Sequence, residues 1–365
     1  MKLTESNPVR IRAALKSADR YEHSLFLALA EVTFSVKSNS RGLIEYLETY
    51  FRDFILSSQT RPADYEIFAL EAPSFDVTAG IGRELIPVER GMPGKAVKES
   101  YVDLDGLRVV KKNQTGLFFI FDRNTHIAAG PCLENANQVV NFVNSRFIQY
   151  RLNRKALLLH AAGIQCNGKG MALAGFSGAG KSTLALHIMN HGTSFVSNDR
   201  IMIEKGNSGM RMYGVAKMPR INPGTIVHNK SLFSILTREE RIRYRSIERE
   251  KLWDLEEKHD AFIDEAFGRG RFTLSTSFDC LVILNWDRNK NGISCSTVDL
   301  ATRRDLLPAV MKSSGIFFLK EANSGYIEHT EANYIEYFSG IDVYEITGGC
   351  DFEKGADICM EILGR

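Results

Sequence analysis

Gly175-Phe176-Ser177-Gly178-Ala179-Gly180-Lys181-Ser182-Thr183 fits the spacing G-x-x-x-x-G-K-[ST]. Each part of that spacing has a physical job. The three glycines let the backbone turn tightly, with positive φ where needed, so that successive amides converge on one anion. Lys181 has the reach for the β- and γ-phosphates of a nucleotide, and the Ser182 hydroxyl can ligate Mg²⁺. The helix that begins at the loop adds its partly positive N-terminus. The whole stretch Gly175 to Thr183, Phe176, Ser177 and Ala179 included, is therefore assigned to a nucleotide triphosphate. A purely structural glycine turn is the competing explanation, and the flanking pattern speaks against it.

That flanking pattern decides the fold. Ala156 to Gln165 and Met171 to Ala174 are apolar runs joined through Asn167-Gly168, a strong hairpin signal. A doubly wound domain feeds its phosphate loop from a strand whose neighbours are parallel and reached through helices. Here the neighbour arrives through a tight turn, so an antiparallel pair is expected. The chain is thus expected to be α/β with a mixed sheet, unlike an ordinary small GTPase or nucleoside kinase. The following helix, Lys181 to about Asn190, ends before Gly192, which suits a C′ cap. Next comes Thr193-Ser194-Phe195-Val196-Ser197-Asn198-Asp199-Arg200, which sets an acid at the end of a short apolar strand. Asp199 there can hold Mg²⁺, as the acid of a phosphate-loop protein does; a turn-capping Asp is the alternative.

The whole chain sets wider bounds. Its 365 residues can bury a sizeable core and hold two domains. With 44% hydrophobic and 25% charged residues and a net charge of +2, it has no broad electrostatic bias toward nucleic acid or membrane. The six cysteines are scattered, with no C-x-x-C, and read as reduced thiols. No stretch approaches the ~18 apolar residues of a membrane span, and Leu25 to Ala30 is too short and too late for a signal-peptide core. A soluble cytoplasmic protein is expected.

The first third alternates strand and helix signals. Leu25 to Val36 is strand-like; Arg41 to Ile55 is amphipathic, with Leu43, Ile44, Leu47, Tyr50, Phe51 and Phe54 at helical spacing. Tyr65 to Glu71 and Ile81 to Glu89 look like strands, and Tyr101 to Ala129 like a meander turning near Asp105-Gly106 and Asn113 to Gly116. Glu134 to Arg154 is expected as a long helix. A soft boundary at Gly130-Pro131 gives an N-terminal α+β module over residues 1–130 and a nucleotide-binding domain over 131–365. Thr237 to Trp253 mixes Arg and Glu at three- and four-residue offsets and reads as one solvated helix.

Five blocks then line up in order: Leu158-Leu159-His160-Ala161-Ala162, the loop, Ser197 to Arg200, Lys217 to Thr225, and the paired stretches Leu252 to Lys258 and Phe262 to Phe272. Together they resemble the HPr kinase/phosphorylase superfamily, distantly similar to phosphoenolpyruvate carboxykinases, and most of all the HPr kinase-related kinase B proteins. The resemblance is strong from about residue 130 to 290, weaker before that stretch and thin after it. It implies a mixed-sheet, carboxykinase-like core reached by a hairpin, and transfer of a phosphoryl group from ATP with Mg²⁺ to a hydroxyl. It also implies an active-site role for His160, which lies where the family carries a histidine; alone, His160 would pass for a satisfied strand residue. Arg269 and Arg271 fall in the block resembling the family's glycine-rich signature, with Glu265 nearby, and an arginine there could neutralise charge on the γ-phosphoryl group. Exposed loop residues are the plainer explanation.

One departure matters. The family carries two adjacent aspartates where this chain has Asn198-Asp199. An amide cannot act as a base at neutral pH and is a weaker ligand for a hard cation. So either Asp199 keeps the metal and His160 takes the proton, or the reverse, and reverse phosphorolysis is put in doubt. His187 and His191 are four apart but lack the Glu of a zinc-helix motif. Neither Asn285-Trp286-Asp287 nor Asn289-Lys290-Asn291 fits the guanine-reading N-K-x-D pattern, which favours ATP. The expected protein is an ATP- and Mg²⁺-dependent kinase with His160, Lys181, Asp199, Arg269 and Arg271 in catalysis and Ser182 and Asp199 on the metal. Its acceptor is a protein serine or a small molecule, and the family implies a homo-oligomer as an option. The rivals are a non-catalytic nucleotide-binding module and a carboxykinase-type lyase.

Overall fold

A computed structural model describes residues 21–58, 61–81, 84–88, 96–207 and 209–364. Two compact units emerge: one runs to Tyr150 and includes Ser314–Asn323, the other comprises Arg151–Ser313 and Ser324–Arg365. The fold is mixed α/β throughout.

The first unit is built on an eight-stranded sheet. In spatial order its strands are His23–Leu29, Val32–Ser38, Tyr65–Glu71, His126–Gly130, Phe118–Phe121, Leu107–Lys112, Glu99–Leu104 and Ile86–Pro87. The expected meander is present, and its Asp105-Gly106 turn has both residues at positive φ (45° and 81°), as a two-residue hairpin requires. Tyr65–Glu71 is parallel to both of its neighbours. Helix Arg41–Tyr50 is capped by Ser40, whose hydroxyl accepts from the Leu43 amide, and it buries Leu43, Ile44, Leu47 and Tyr50. Helix Ala136–Leu152 is buried on nearly every side from Phe142 to Gln149, so no polar face marks its register. The strand expected over Ile81 to Glu89 is only partly found. Ile81 closes a short helix, Thr78–Ile81, and strand pairing is confined to Ile86–Pro87; residues 82, 83 and 89 lie outside the described residues.

In the second unit a six-stranded sheet runs Ser194–Ser197, Ala161–Cys166, Lys169–Gly175, Cys280–Leu284, Asp342–Gly348, Ile293–Thr297. Ala161–Cys166 and Lys169–Gly175 form the expected antiparallel hairpin, with Asn167 and Gly168 at φ 51° and 84°. On its other side Lys169–Gly175 pairs in parallel with Cys280–Leu284. The loop strand therefore has one neighbour of each sense. Side chains alternate along it: Met171 and Leu173 pack under helices Lys181–Met189 and Phe352–Ile362, while Ala172 and Ala174 face a second sheet. That sheet is antiparallel, in the order Ser275–Ser277, Gly209–Tyr213, Ile201–Gly206, Leu157–Leu159. Both faces of the six-stranded sheet are thus covered, which explains its almost unbroken apolar strands.

The single helix expected over Thr237 to Trp253 is two helices, Arg238–Arg245 and Arg249–Asp254. The first opens with a capping box between Thr237 and Glu240 and stops at Ser246, whose hydroxyl donates to the Arg243 carbonyl (2.7 Å).

Candidate functional site

The loop leaves the middle of the six-stranded sheet at Gly175 and enters helix Lys181–Met189 at Gly180, which has φ 86°. A Cβ on Gly180 would lie 2.6 Å from the Phe352 ring, so the position is closed to side chains on two counts. Trp286 donates its indole N–H to the Ala179 carbonyl (2.8 Å) and meets Phe352 edge-on, 5.2 Å between ring centroids. These two aromatics, absent from the expected site, fix the loop's shape from beneath. Lys181 is buried and donates to the carbonyls of Gly175 (2.8 Å) and Phe176 (3.3 Å). Its ammonium is held inside the loop's own curve. Burial lowers its pKa, Asp199 opposes that fall and Lys312 adds to it, so the three charges act on one another. Ser182 is half-buried, and Thr183 shares a hydrogen bond with Thr225 (2.8 Å), which ties the block Lys217 to Thr225 to the loop helix.

His160 and Asp199 come together for a topological reason. The chain crosses from the four-stranded to the six-stranded sheet at His160, between Leu157–Leu159 and Ala161–Cys166. It crosses back between Ser194–Ser197 and Ile201–Gly206, at Asn198 to Arg200. Leu159 pairs with Ile201 and Gly163 with Ser197, so the two crossings lie side by side. His160 Nε2 stands 3.1 Å from Asp199 Oδ1.

The other carboxylate oxygen has a partner that the sequence did not single out. Lys312 Nζ donates to Asp199 Oδ2 (2.9 Å). Segment 310–312 lies along the first crossing: the His160 amide donates to the Val310 carbonyl (2.7 Å), Leu159 bridges to Met311, and the Lys312 amide donates to the Tyr334 hydroxyl (3.1 Å). Burial works against the charged form of Asp199, but the His160 hydrogen bond and the charge and hydrogen bond of Lys312 outweigh it. The carboxyl titrates well below the ordinary carboxylate range. A lone lysine 113 residues downstream carries no motif; only the pairing of 310–312 beside 158–160 reveals it.

The remaining expected residues are placed less centrally. Asn198 turns its buried Oδ1 to no hydrogen-bond partner among the described residues. Arg271 spends its guanidinium on the carbonyls of Thr193 (Nε, 2.8 Å) and Met189 (Nη2, 3.4 Å), which pins the end of the loop helix to the start of the next strand. Arg269 is exposed in the turn after helix Ile263–Phe267, and Glu265 is exposed on that helix. His187 is buried and stacks on Phe352 (5.7 Å), while His191 stands 3.9 Å from Asp357. Among the described residues no group of three or more His, Cys, Asp or Glu side chains is arranged to hold a metal. Magnesium would instead use Ser182, Asp199 and phosphate oxygens. The orphaned Asn198 oxygen fits the same task, being a hard, neutral oxygen with an unmet need for a donor or cation.

No protein-family model matches the chain, and no curated protein matches it in sequence. Among solved structures it is similar to the Hpr(Ser) kinase/phosphatase from Coxiella burnetii, at 12% identity and a TM-score of 0.29, over 57% of this chain and 99% of that one. No helix of the described residues is long and apolar enough to cross a membrane.

Proposed function

We propose that the protein is an ATP- and Mg²⁺-dependent phosphotransferase that moves the γ-phosphoryl group to a hydroxyl. The observation that carries this reading is the cluster at one place: Lys181 inside the glycine loop, and Asp199 held between His160 and Lys312. Phosphoryl transfer requires little covalent help from a protein, and positioned charge is most of what it needs. In this reading the loop amides and Lys181 bind the β- and γ-phosphates. Ser182, Asp199 and the Asn198 amide oxygen hold Mg²⁺, which supplies charge neutralisation on the phosphates when bound. His160, hydrogen-bonded to Asp199, orients the acceptor hydroxyl and takes its proton. Lys312 faces the same carboxylate and steadies charge on the transferring group. Arg269, exposed in its turn, is free to fold over the phosphates, whereas Arg271 acts by fixing the loop helix. The resemblance of the five sequence blocks to HPr kinases points the same way.

One observation favours a second reading, a nucleotide-binding regulatory module. Asn198 stands where the family has a carboxylate, and both oxygens of Asp199 already have partners. A single experiment separates the two. Full-length protein is incubated with γ-labelled ATP, Mg²⁺ and an extract of the source cells, then divided by ultrafiltration, with Lys181→Ala in parallel. Label that depends on Lys181 and appears in either fraction supports the transferase and sorts protein from metabolite acceptors. Tight ATP binding with no transfer overturns it in favour of the module.

A further inference from the structure

Segment Tyr213 to Lys217 packs directly on the strand that leads to Asp199. A Cβ on Gly214 would fall 1.9 Å from the Val196 carbonyl oxygen, and the Val215 amide donates to the Ser197 hydroxyl (3.3 Å). Two residues on comes Lys217, within electrostatic reach of Asp199. Its side chain is half-buried, and among the described residues its ammonium has no hydrogen-bond or ion-pair partner. Arg200, Arg220, Asp199 and Asp260 lie within electrostatic reach. Arg220 and Asp260 sit directly opposite each other on the short ribbon of Arg220–Ile221 and His259–Asp260, 3.4 Å apart. Arg200 reaches Asp199 only at 3.8 Å, and that carboxylate is already held more closely by Lys312 and His160.

Lys217 thus stands within reach of two further cations, Arg200 and Arg220, whose carboxylates Asp199 and Asp260 are already engaged, Asp199 by Lys312 and His160 and Asp260 by Arg220. Burial lowers the pKa of Lys217 first, Arg200 and Arg220 lower it further, and Asp199 and Asp260 oppose. A partly desolvated ammonium without a partner destabilises the protein that carries it. Such an arrangement is retained where an anion completes it.

We infer that Lys217, Arg200 and Arg220 form a second anion subsite beside Asp199, distinct from the glycine loop, which takes the phosphate or carboxylate group of an anionic hydroxyl acceptor. This rests on the phosphotransferase reading and narrows its acceptor to a molecule that carries negative charge near the hydroxyl it offers. The loop anchors the donor's phosphates, and the second subsite anchors the acceptor's charge so that its hydroxyl lies by His160.

The test uses full-length protein and sulfate as the probe, at constant ionic strength. First, binding of Mg²⁺ with a non-hydrolysable ATP analogue is measured by calorimetry; this reads the loop alone, and Lys181→Ala should abolish it while Lys217→Gln leaves it within about threefold. Sulfate is then titrated into protein saturated with the analogue. One sulfate should bind, Lys217→Gln should weaken it by about tenfold or more, and Lys217→Arg should retain it within about threefold. Relief of the unpaired charge should also raise the melting temperature of Lys217→Gln, by about 2 °C. Absence of a sulfate site in the analogue-loaded protein, or equal affinity in Lys217→Gln, overturns the subsite. If the analogue fails to bind, the loop reading falls by itself. Sulfate titrated into the free protein then decides the subsite by its sensitivity to Lys217→Gln against Lys181→Ala.

Discussion

Arg146 in the first unit and Asp199 in the second are both charges held by several partners, and their surroundings could hardly differ more. Arg146 is fully buried. Its guanidinium stacks on Phe121 and Phe142, 4.2 and 5.0 Å from the ring centroids, and donates to the Ser145 hydroxyl, the Gln149 amide oxygen and the Phe317 carbonyl. Among the described residues no carboxylate pairs with it. Burial lowers its pKa to about 9, with Tyr65 opposing and Arg108 adding to the fall, so it remains protonated at neutral pH. Asp199 is half-exposed and surrounded by ionisable partners that can exchange it for a ligand. A sealed charge with neutral partners holds structure together, here fixing segment Ser314–Asn323 within its unit. An open charge with charged partners is available for chemistry.

The largest expected effect breaks the open cluster. Lys181→Ala should lower turnover on the order of 10²–10³, or about 3–4 kcal/mol of transition-state stabilisation. Retained turnover in a folded variant would sink the loop assignment. Next in size is the sealed charge. Arg146→Ala removes two stacking contacts and orphans the Gln149 and Phe317 oxygens, so chemical denaturation should show a loss of about 3 kcal/mol. Turnover per folded molecule should not change. A variant as stable as wild type would mean that the sealed charge contributes nothing to holding its unit together.

A smaller effect tests the partner that holds Asp199 open. Lys312→Met removes one hydrogen bond and one charge from the carboxylate, leaving His160 on the other oxygen. The folded-state pKa of Asp199 is depressed, so its contribution is present above the unfolded value and is lost as pH falls through the folded one. Without Lys312 the folded pKa rises, so that loss of stability begins at higher pH, and protonation of the carboxylate moves the acid limb of turnover the same way, with turnover at pH 7 about tenfold down. NMR titration of the Asp199 carboxyl in both proteins would check the direction. An unmoved carboxyl resonance would mean that His160 alone sets its charge.

The same contrast explains what could be read in advance. The glycine loop, the Asn167-Gly168 hairpin and the helix Arg41–Tyr50 depend on neighbours within a few residues, and their spacing is their structure. The helix Ala136–Leu152 was legible as an element, yet nothing local marks Arg146 as its buried charge, since ring stacking and distant carbonyls make that burial tolerable. The break at Ser246 carries no periodic mark, because the Arg and Glu offsets continue across it. Around Asp199 the residues of local motifs were found and Lys312 and Trp286 were not. Both reach the site through long-range strand pairing, which leaves no periodic trace. Arg271 fell in a recognisable block, but only the carbonyls of Met189 and Thr193 reveal its occupation.

The smallest effect concerns the underside of the loop, which treats charge in a third way by keeping it out. His187 lies buried in the last turn of the loop helix, stacked on the Phe352 ring that also closes Gly180. Burial lowers its pKa from 6.5; Glu353 and Asp351 oppose, while His228 and His191 add to the fall. The unfolded chain therefore takes up a proton near pH 6.5 that the folded protein refuses until the solution is more acidic. In that window the unfolded state binds more protons, so stability declines as pH falls and levels off once the folded form is protonated too. His187→Gln should remove this component, making stability between pH 7 and the folded value less steep while leaving the plateau above pH 7 nearly unchanged. Urea denaturation at several pH values reads the slope directly. An equal slope in the two proteins would mean that His187 accepts its proton while stacked, and that the loop's support tolerates the charge its upper face is built to use.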